Sequence, residues 1–205
     1  MRKVGGPGIV VGLDEVGRGA LAGPLTVAAV ALPDEPEVIG IDDSKKLSPK
    51  RREALAAQIE DVAYGIGICH IPPEDIDACG MSASLKVAFS RALASCEADI
   101  RERGNGKGAD AVLIDGNPIH IHAHETCIVK GDGKVACIAA ASIVAKVTRD
   151  ALMIELSSSY PAYGFDSNKG YGSAAHIDAI KNNGPSDVHR RSFLGNILSE
   201  QQRLL

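Results

Sequence analysis

The stretch Ile9-Val10-Val11-Gly12-Leu13-Asp14-Glu15-Val16-Gly17-Arg18-Gly19 decides the fold. Its first half is a short β-branched run bounded by glycines, which predicts a buried strand over residues 8–13. Two adjacent acids, Asp14 and Glu15, follow that strand at once. Because neighbouring like charges make each other costlier to ionise, we expect either a divalent cation beside this pair or a solvated turn that simply carries it.

The composition indicates a globular protein with an aliphatic core. Of the 205 residues, 45% are hydrophobic and 23% are charged, whereas aromatics make up only 3% and tryptophan is absent. A chain of this length can bury one large core. No segment approaches the roughly 20 apolar residues of a membrane span, and the first residues lack a signal peptide, so we expect a cytoplasmic protein without membrane contact.

Charge and cysteine usage bear on the kind of ligand and on the redox state of the protein. The formal net charge of −4 is not typical of a nucleic-acid binder. Positive residues are nevertheless concentrated in two places, at Lys45, Lys46, Lys50, Arg51 and Arg52, and at Lys169, Lys181, Arg190 and Arg191. Cysteines without a C-x-x-C pair argue against a disulfide framework or a thiolate zinc site, so we expect reduced core residues. They are Cys69, Cys79, Cys96, Cys127 and Cys137.

Hydrophobic periodicity predicts strands and helices of the α/β class. The strands are expected at 8–13, 25–32, 62–68, 111–114 and 126–129, and the long helices at 49–61, 81–103 and 138–156, with short helices from residue 160 onward. The first two strands, joined by a glycine-rich turn, form a hairpin. No repeat or low-complexity linker divides the chain, so we predict a single domain, 1–205, with a core at 8–157 and a helical C-terminal portion at 158–205.

Acids follow three separate strands of the predicted sheet. Asp14 and Glu15 follow the first strand, Asp115 follows the strand at 111–114, and Asp132 lies just beyond the strand at 126–129. Taken singly, Asp115 and Asp132 belong to ordinary Asp-Gly turn dipeptides. Since neighbouring strands lie about 4.8 Å apart, the carboxylates can instead converge, and oxygen ligands suit Mg²⁺ or Mn²⁺. Two such ions, roughly 3.5–4 Å apart, favour phosphodiester hydrolysis.

Several spaced blocks resemble bacterial ribonuclease HII. They are Gly12-Leu13-Asp14-Glu15-Val16-Gly17-Arg18-Gly19, Asp43-Ser44-Lys45-Lys46-Leu47, Leu113-Ile114-Asp115-Gly116-Asn117, Val129-Lys130-Gly131-Asp132, the run from Ala140 to Asp150, and Gly184-Pro185-Ser186 with His189-Arg190-Arg191-Ser192-Phe193. The resemblance implies a ribonuclease H-like fold, with a mixed five-stranded sheet flanked by helices. Type HIII relatives carry an extra N-terminal domain, for which we expect no room before the first strand.

The resemblance also implies an activity and its four acids. The expected enzyme is an endonuclease that hydrolyses the RNA strand of RNA–DNA hybrids and incises 5′ of single ribonucleotides in duplex DNA, leaving 3′-hydroxyl and 5′-phosphate ends. Its catalytic and metal-binding acids correspond to Asp14, Glu15, Asp115 and Asp132. We expect Asp14 and Asp115 to contact both ions, Glu15 to orient the attacking water, and Asp132 to hold the second ion. A monomer is expected.

The same resemblance implies the residues that read the substrate. Glycines allow close backbone approach, and the triplet Gly17, Arg18 and Gly19 is expected to contact the ribose 2′-hydroxyl that separates RNA from DNA. Tyr171 matches the family tyrosine that stacks on the following deoxyribose, although in sequence alone it is a tyrosine in a glycine-flanked turn. Lys45 and Lys46 resemble phosphate contacts. Lys146, Arg190 and Arg191 are further candidates for facing the duplex.

Some residues and functions remain as alternatives. Asp150 lies in a family block but is assigned as a structural partner on the long helix, with Asp132 kept in the site. A candidate zinc site is formed by three alternate histidines, His120, His122 and His124, which would share one face if they lay on a strand. The favoured interpretation is that they are exposed histidines of a loop. A catalytically silent binder of hybrids, or a phosphatase acting on small molecules with the same metal cluster, are the competing functions.

Overall fold

The structure is a computed structural model that describes residues 8–34 and 47–202. By the density of contacts among its residues, the chain divides into two compact units. The first holds the described residues of 1–16, 26–70 and 85–147, and the second those of 17–25, 71–84 and 148–205. In these described ranges, no helix combines the length and the apolar character needed to cross a membrane.

A mixed sheet of five strands forms the framework of the chain. The strands are β1 (Val10–Val16), β2 (Leu25–Ala31), β3 (Gly65–Ile71), β4 (Ala111–Asp115) and β5 (Glu125–Ile128). Their order in the sheet is β3-β2-β1-β4-β5. β2 runs antiparallel to β1, as the predicted hairpin requires, whereas β4 is parallel to both β1 and β5. The predicted mixed five-stranded sheet is therefore confirmed.

The helices follow the predicted periodicity closely. They are α1 (Pro49–Val62), α2 (Pro73–Cys79), α3 (Met81–Glu102), α4 (Ala136–Ser159), α5 (Phe165–Asn168), α6 (Ala174–Asn183) and α7 (Gly195–Gln202). Helix α1 begins at Pro49, where the Ser48 side chain accepts a hydrogen bond from the Arg51 backbone N–H at 3.3 Å. An N-cap serine followed by proline is a favourable helix start, because proline lacks an N–H that would go unpaired there.

Aliphatic packing over the sheet forms the core of the first unit. Val30 of β2 belongs to the same buried cluster as Leu55 and Ile59 of α1. The alanine-rich start of α4 belongs to this cluster through Ala140, Ala141, Ile143, Val144 and Ala145. Burial of each leucine or isoleucine contributes about 1.5–3 kcal/mol, so small residues on α4 and larger ones on α1 build a core without aromatic side chains.

Several sequence-based expectations differ from the structure. β1 continues through both acids to Val16 instead of ending at residue 13, because its pairing with β2 extends that far. β3 begins at Gly65 because α1 occupies the chain to Val62, and α2 was not predicted. The cysteines are all free as expected, but Cys79 is exposed and Cys127 only half-buried, so the expectation of five core cysteines was wrong for these two.

Candidate active site

Strand register brings two of the predicted acids together. Leu13 of β1 is paired in parallel with Ile114 of β4. The next residue on each strand is an acid, Asp14 on β1 and Asp115 as the last residue of β4. Parallel neighbours at the same register lie side by side, so the two carboxylates lie at the same edge of the sheet.

Asp132 reaches the same point by a different route. It lies in a single turn of 3-10 helix, Gly131–Gly133, beyond β5, and its side chain is buried. Lys130 redirects the chain before this turn, with a backbone φ of 56° in the left-handed region. The turn is attached to β4, because Asp115 Oδ1 accepts a hydrogen bond from the Gly131 N–H at 2.7 Å.

Three carboxylates form the acidic cluster of the first unit. One oxygen from each of Asp14, Asp115 and Asp132 lies within 4.8 Å of the others, and among the described residues this is the set of side chains that could hold a metal ion. Glu15, the fourth predicted acid, lies outside the set. Its carboxylate is nevertheless close enough to that of Asp14 to raise the pKa of Asp14.

The charge of the cluster is unbalanced without a cation. Burial raises the pKa of Asp14 from 3.8 to about 7, opposed by a hydrogen bond from the Ser142 hydroxyl, while the nearby Glu15 and Asp115 carboxylates raise it further. A carboxylic acid that is costly to ionise next to two other acids is stabilised in its charged form by a divalent ion. Clustered hard oxygen donors therefore fit Mg²⁺ or Mn²⁺ chemically.

Ser142 is a site residue that the sequence analysis did not single out. It lies on α4, is 6% exposed, and donates its hydroxyl to the Asp14 carboxylate. A buried serine surrounded by apolar neighbours needs a hydrogen-bond acceptor. The signal was therefore present in the sequence as the one hydroxyl within the apolar run from Ile138 to Ala145.

The second unit contains the predicted ribose-reading triplet together with the predicted tyrosine. Gly17 donates its N–H to the hydroxyl of Tyr171 at 3.1 Å. Tyr171 is 37% exposed, and the Cζ of Arg149 lies 5.4 Å from its ring centroid. Arg18 and Gly19 are exposed. One face of the tyrosine ring is therefore supported by a cation–π contact, while part of the ring remains accessible.

The packing around residue 17 requires a glycine there. Its φ is +84°, and a Cβ on this residue would lie 2.2 Å from Nε of Arg149. The Gly19 position, in contrast, has no atom within 4 Å of the corresponding Cβ. Both glycines were expected to allow close approach of a ligand, but packing against Arg149 accounts for Gly17.

Two buried arginines hold the segment from Arg18 to Pro24. Arg149 donates to the carbonyl oxygens of Pro24, Lys169 and Ala22 at 2.8, 2.9 and 3.1 Å. Arg190 donates twice to the Gly23 carbonyl, at 2.9 and 3.1 Å, and once to that of Arg18 at 3.0 Å. Both guanidinium side chains are fully buried.

Arg190 therefore does not have the role considered for it from the sequence. Its side chain is fully buried, so the interpretation of Arg190 as a residue that faces the duplex is wrong. Arg191 is exposed, and its backbone N–H donates to Asp77 Oδ2 at 2.7 Å. Lys146 is half-buried. Lys45 and Lys46 lie outside the described residues.

The remaining candidates lie elsewhere. His120, His122 and His124 belong to a loop between β4 and β5, where the Glu125 carboxylate accepts backbone hydrogen bonds from Ile119, His120 and Ile121. Within the described ranges, none of these histidines belongs to a group that could hold a metal. Asp150, on α4, is likewise outside the acidic cluster.

The fold and the acidic cluster define the ribonuclease H class of hydrolases. Ribonuclease H2 from Pyrococcus horikoshii OT3 matches the structure with a TM-score of 0.77 and 25% identity, covering 95% of this chain and 99% of that one. The ribonuclease HII of Archaeoglobus fulgidus, in its complex with PCNA, gives a TM-score of 0.74 at 25% identity, covering 92% and 96%.

Sequence comparison then gives the family. Residues 11–195 match the family described as Ribonuclease HII. The chain is 44% identical to ribonuclease HII of Dechloromonas aromatica over 187 residues, which cover 91% of each protein. It is 46% identical to that of Thermotoga petrophila over 187 residues, 91% of this chain and 73% of the relative. The chain belongs to the ribonuclease HII family and is an endoribonuclease with ribonuclease H activity.

Proposed function

We propose that this endoribonuclease hydrolyses the RNA strand of RNA–DNA hybrids and incises duplex DNA on the 5′ side of a single embedded ribonucleotide. The products are a 3′-hydroxyl and a 5′-phosphate, which suits ribonucleotide removal and RNA primer removal. The convergence of Asp14, Asp115 and Asp132 within 4.8 Å is the observation that carries the proposal. Such a cluster offers ligands for divalent ions and supplies no strong nucleophile of its own, so water is the attacking group.

The proposed cofactor is a pair of Mg²⁺ or Mn²⁺ ions. Asp14, Asp115 and Asp132 would hold them, with Glu15 as the fourth acid near Asp14 in the chain. When bound, the ions supply an activated water and charge neutralisation at the phosphodiester. Glu15 follows Asp14 directly on β1, and its backbone N–H already donates to Asp14 Oδ1 at 2.7 Å. Its own carboxylate is proposed to orient the attacking water.

The protein's own contribution is to fix the direction of the Asp14 and Asp115 carboxylates. The Ser142 hydroxyl and the Glu15 N–H both donate to Asp14, and the Gly131 N–H donates to Asp115. Hydrogen bonds of this kind hold ligand oxygens in place before an ion arrives. The cluster is therefore largely preorganised by main-chain and hydroxyl donors, and little reorganisation is needed when substrate binds.

Recognition of the ribonucleotide is assigned to the second unit. Gly17 follows Val16, the last residue of β1, directly in the chain. The exposed Arg18 and Gly19 offer main-chain groups to a ribose 2′-hydroxyl, and the exposed part of the Tyr171 ring offers an apolar surface to the next sugar. A 2′-hydroxyl both donates and accepts, so backbone groups can distinguish it from deoxyribose.

Phosphate contacts and assembly complete the proposal. Lys45 and Lys46 are proposed to bind backbone phosphates of the hybrid or of the ribonucleotide-containing duplex. Such contacts fix the position of the enzyme along the duplex without reading the bases. A cytoplasmic monomer is proposed for the active form. Size-exclusion chromatography with light scattering at the enzyme concentration of the assay tests the monomer.

A matched set of duplexes tests the activity. One duplex carries a single ribonucleotide, a second is a continuous RNA–DNA hybrid, and a third, the control, is all DNA of the same sequence. With Mg²⁺, we expect cleavage of the first two and none of the third, with a 3′-hydroxyl left on the 5′ side of the ribonucleotide. Cleavage confined to the continuous hybrid would reject single-ribonucleotide incision, and cleavage that persists in EDTA would reject the metal requirement.

A further inference from the structure

A chain of hydrogen bonds runs through the buried interior of the second unit. His176 and His189 are 0% and 2% exposed, and their Nε2 atoms lie 3.1 Å apart. His176 Nδ1 lies 2.9 Å from the Tyr171 carbonyl oxygen. At the other end, His189 Nδ1 lies 2.8 Å from Ser186 Oγ and 3.0 Å from Ser186 N.

The partners at the two ends determine where each proton lies. A carbonyl oxygen only accepts, so His176 must carry its proton on Nδ1. The Nε2 of a neutral His176 is then an acceptor, and His189 must donate from its own Nε2. That leaves His189 Nδ1 as an acceptor, which is what the Ser186 N–H at the other end requires. The bonds are thus satisfied in one arrangement only, with both rings neutral and in opposite tautomers.

The surroundings maintain this neutral arrangement. The His189 ring packs 4.7 Å from that of Tyr163, and the His176 ring packs 5.4 Å from that of Phe165, centroid to centroid. Burial lowers the pKa of both histidines, that of His189 to about 4. An additional proton on either ring would bring two N–H groups face to face, or an N–H against the Ser186 N–H.

The chain of hydrogen bonds ends at Tyr171, the residue proposed to contact substrate. The Tyr171 carbonyl also accepts from the Ser173 N–H at 2.8 Å, so two donors fix the backbone of the tyrosine. Its side chain is held at the hydroxyl by the Gly17 N–H and at one ring face by Arg149. Displacement of the carbonyl therefore displaces a ring that has little freedom of its own.

We propose that His176 and His189 are positioning residues, which, with Ser186, hold the Tyr171 backbone so that its ring is presented to the sugar that follows the ribonucleotide. The inference rests on the proposed function, in which Tyr171 contacts substrate. The two histidines themselves are buried and touch no substrate.

Nuclear magnetic resonance of the full chain, labelled with ¹⁵N at histidine, tests the proton arrangement without any substrate. At neutral pH the ring nitrogen signals should show His176 protonated at Nδ1 and His189 protonated at Nε2. The His176→Asn variant assigns the two sets of signals. The same tautomer on both rings, or a charged ring at neutral pH, would overturn the proposal.

A double-mutant cycle tests whether the chain of hydrogen bonds acts through Tyr171. His176→Leu should raise KM for the single-ribonucleotide duplex by about tenfold, the effect of one lost hydrogen bond, and leave kcat within about twofold. In a Tyr171→Ala background the same substitution should change KM by less than about twofold, because residues that act through one another are not additive. Equal effects in both backgrounds would overturn the proposal.

A conservative variant separates the hydrogen bond from the packing. The side-chain nitrogen of an asparagine can occupy the place of Nδ1 and donate to the Tyr171 carbonyl, so His176→Asn should recover most of the KM lost in His176→Leu. Equal losses in the two variants would overturn the proposal. Failure of the wild-type enzyme to incise the single-ribonucleotide duplex would instead reject the proposed function. In that case the tautomer measurement would still test the arrangement of hydrogen bonds by itself.

Discussion

Asp115 Oδ1 is bonded to the Gly131 N–H at 2.7 Å, so the end of β4 fixes the turn that carries Asp132. Two of the three clustered acids are therefore coupled through one hydrogen bond. The position of Asp132 therefore depends on how the turn is packed. A disturbance of Gly131 should affect the affinity for metal before it affects the fold.

Gly131→Ala should weaken metal binding. The new Cβ would lie 2.7 Å from Cδ1 of the buried Ile138 and 3.3 Å from Cβ of Ile128, which displaces the turn. Overpacking of this kind costs about 1–3 kcal/mol of folding free energy. Calorimetric titration with Mn²⁺ measures the affinity. Gly133→Ala is the matched control, since no atom lies within 4 Å of its Cβ. Equal affinities in the two variants would contradict the prediction.

Asp14→Asn should stabilise the metal-free protein at alkaline pH. The folded-state pKa of Asp14 is about 7 against an ordinary value of 3.8, so the folded protein binds its proton more tightly. The stability gained from that proton is complete below about pH 4 and is lost as pH rises through about 7. In EDTA above pH 8, the variant should exceed wild type by up to roughly 4 kcal/mol.

Urea unfolding at pH 5 and pH 8.5 in EDTA measures this difference. The stability advantage of the variant should grow between the two pH values, and added Mg²⁺ should reverse it by binding wild type more tightly. An advantage that is independent of pH would show that Asp14 is not the titrating group.

Asp132→Asn and Asp150→Asn should have opposite outcomes. The first removes a ligand from the cluster and should reduce kcat on a hybrid duplex by at least about a hundredfold, as expected for loss of a metal ligand. The second removes the same charge outside the cluster and should leave kcat within about threefold. Loss of cleavage in Asp150→Asn with activity retained in Asp132→Asn would reverse our assignment of Asp132 to the site and of Asp150 to a structural role.

Gly17→Ala and Gly19→Ala should separate internal packing from substrate contact. The first places a Cβ 2.2 Å from Arg149 at a φ of +84° and should lower the free energy of unfolding by roughly 2–4 kcal/mol. The second meets no atom and should leave unfolding unchanged, while it raises KM for ribonucleotide substrates. Thermal unfolding and steady-state kinetics distinguish the two, and equal stability of both variants would refute the packing argument.

Calcium should support binding without efficient cleavage. Its coordination shell is larger and less strictly octahedral than that of magnesium, so it should occupy the acids but misplace the reacting groups. Fluorescence anisotropy with a labelled hybrid measures binding, and gel electrophoresis of the same sample measures cleavage. Efficient turnover with Ca²⁺ alone would count against the two-ion proposal.

The sequence predicts those features that depend on local pattern. The long helices, the hairpin of the first two strands and the convergence of acids after parallel strands all follow from hydrophobic periodicity or from strand geometry. Arg190 was misjudged because arginine is usually exposed, and the six hydrogen bonds that bury the two arginines join residues far apart in the chain.

Ser142 and the histidine pair were missed for the same reason. Each has a partner that only the fold brings near, Asp14 for the serine and Tyr171 at the end of the histidine chain. Position in sequence does not reveal such partners. A small polar residue within an apolar helix remains the best local sign of them.

The arginine supports also bear on how the enzyme matures during translation. Arg149 reaches Pro24 across 125 positions of sequence, and Arg190 reaches Arg18 across 172. The segment from Arg18 to Pro24 is synthesised early but acquires its supports only after residue 190 has left the ribosome. Since nascent chains fold as their parts emerge, this segment stays without its full set of arginine hydrogen bonds during most of synthesis. The segment from Arg18 to Pro24 is therefore made early in synthesis but fixed late in folding.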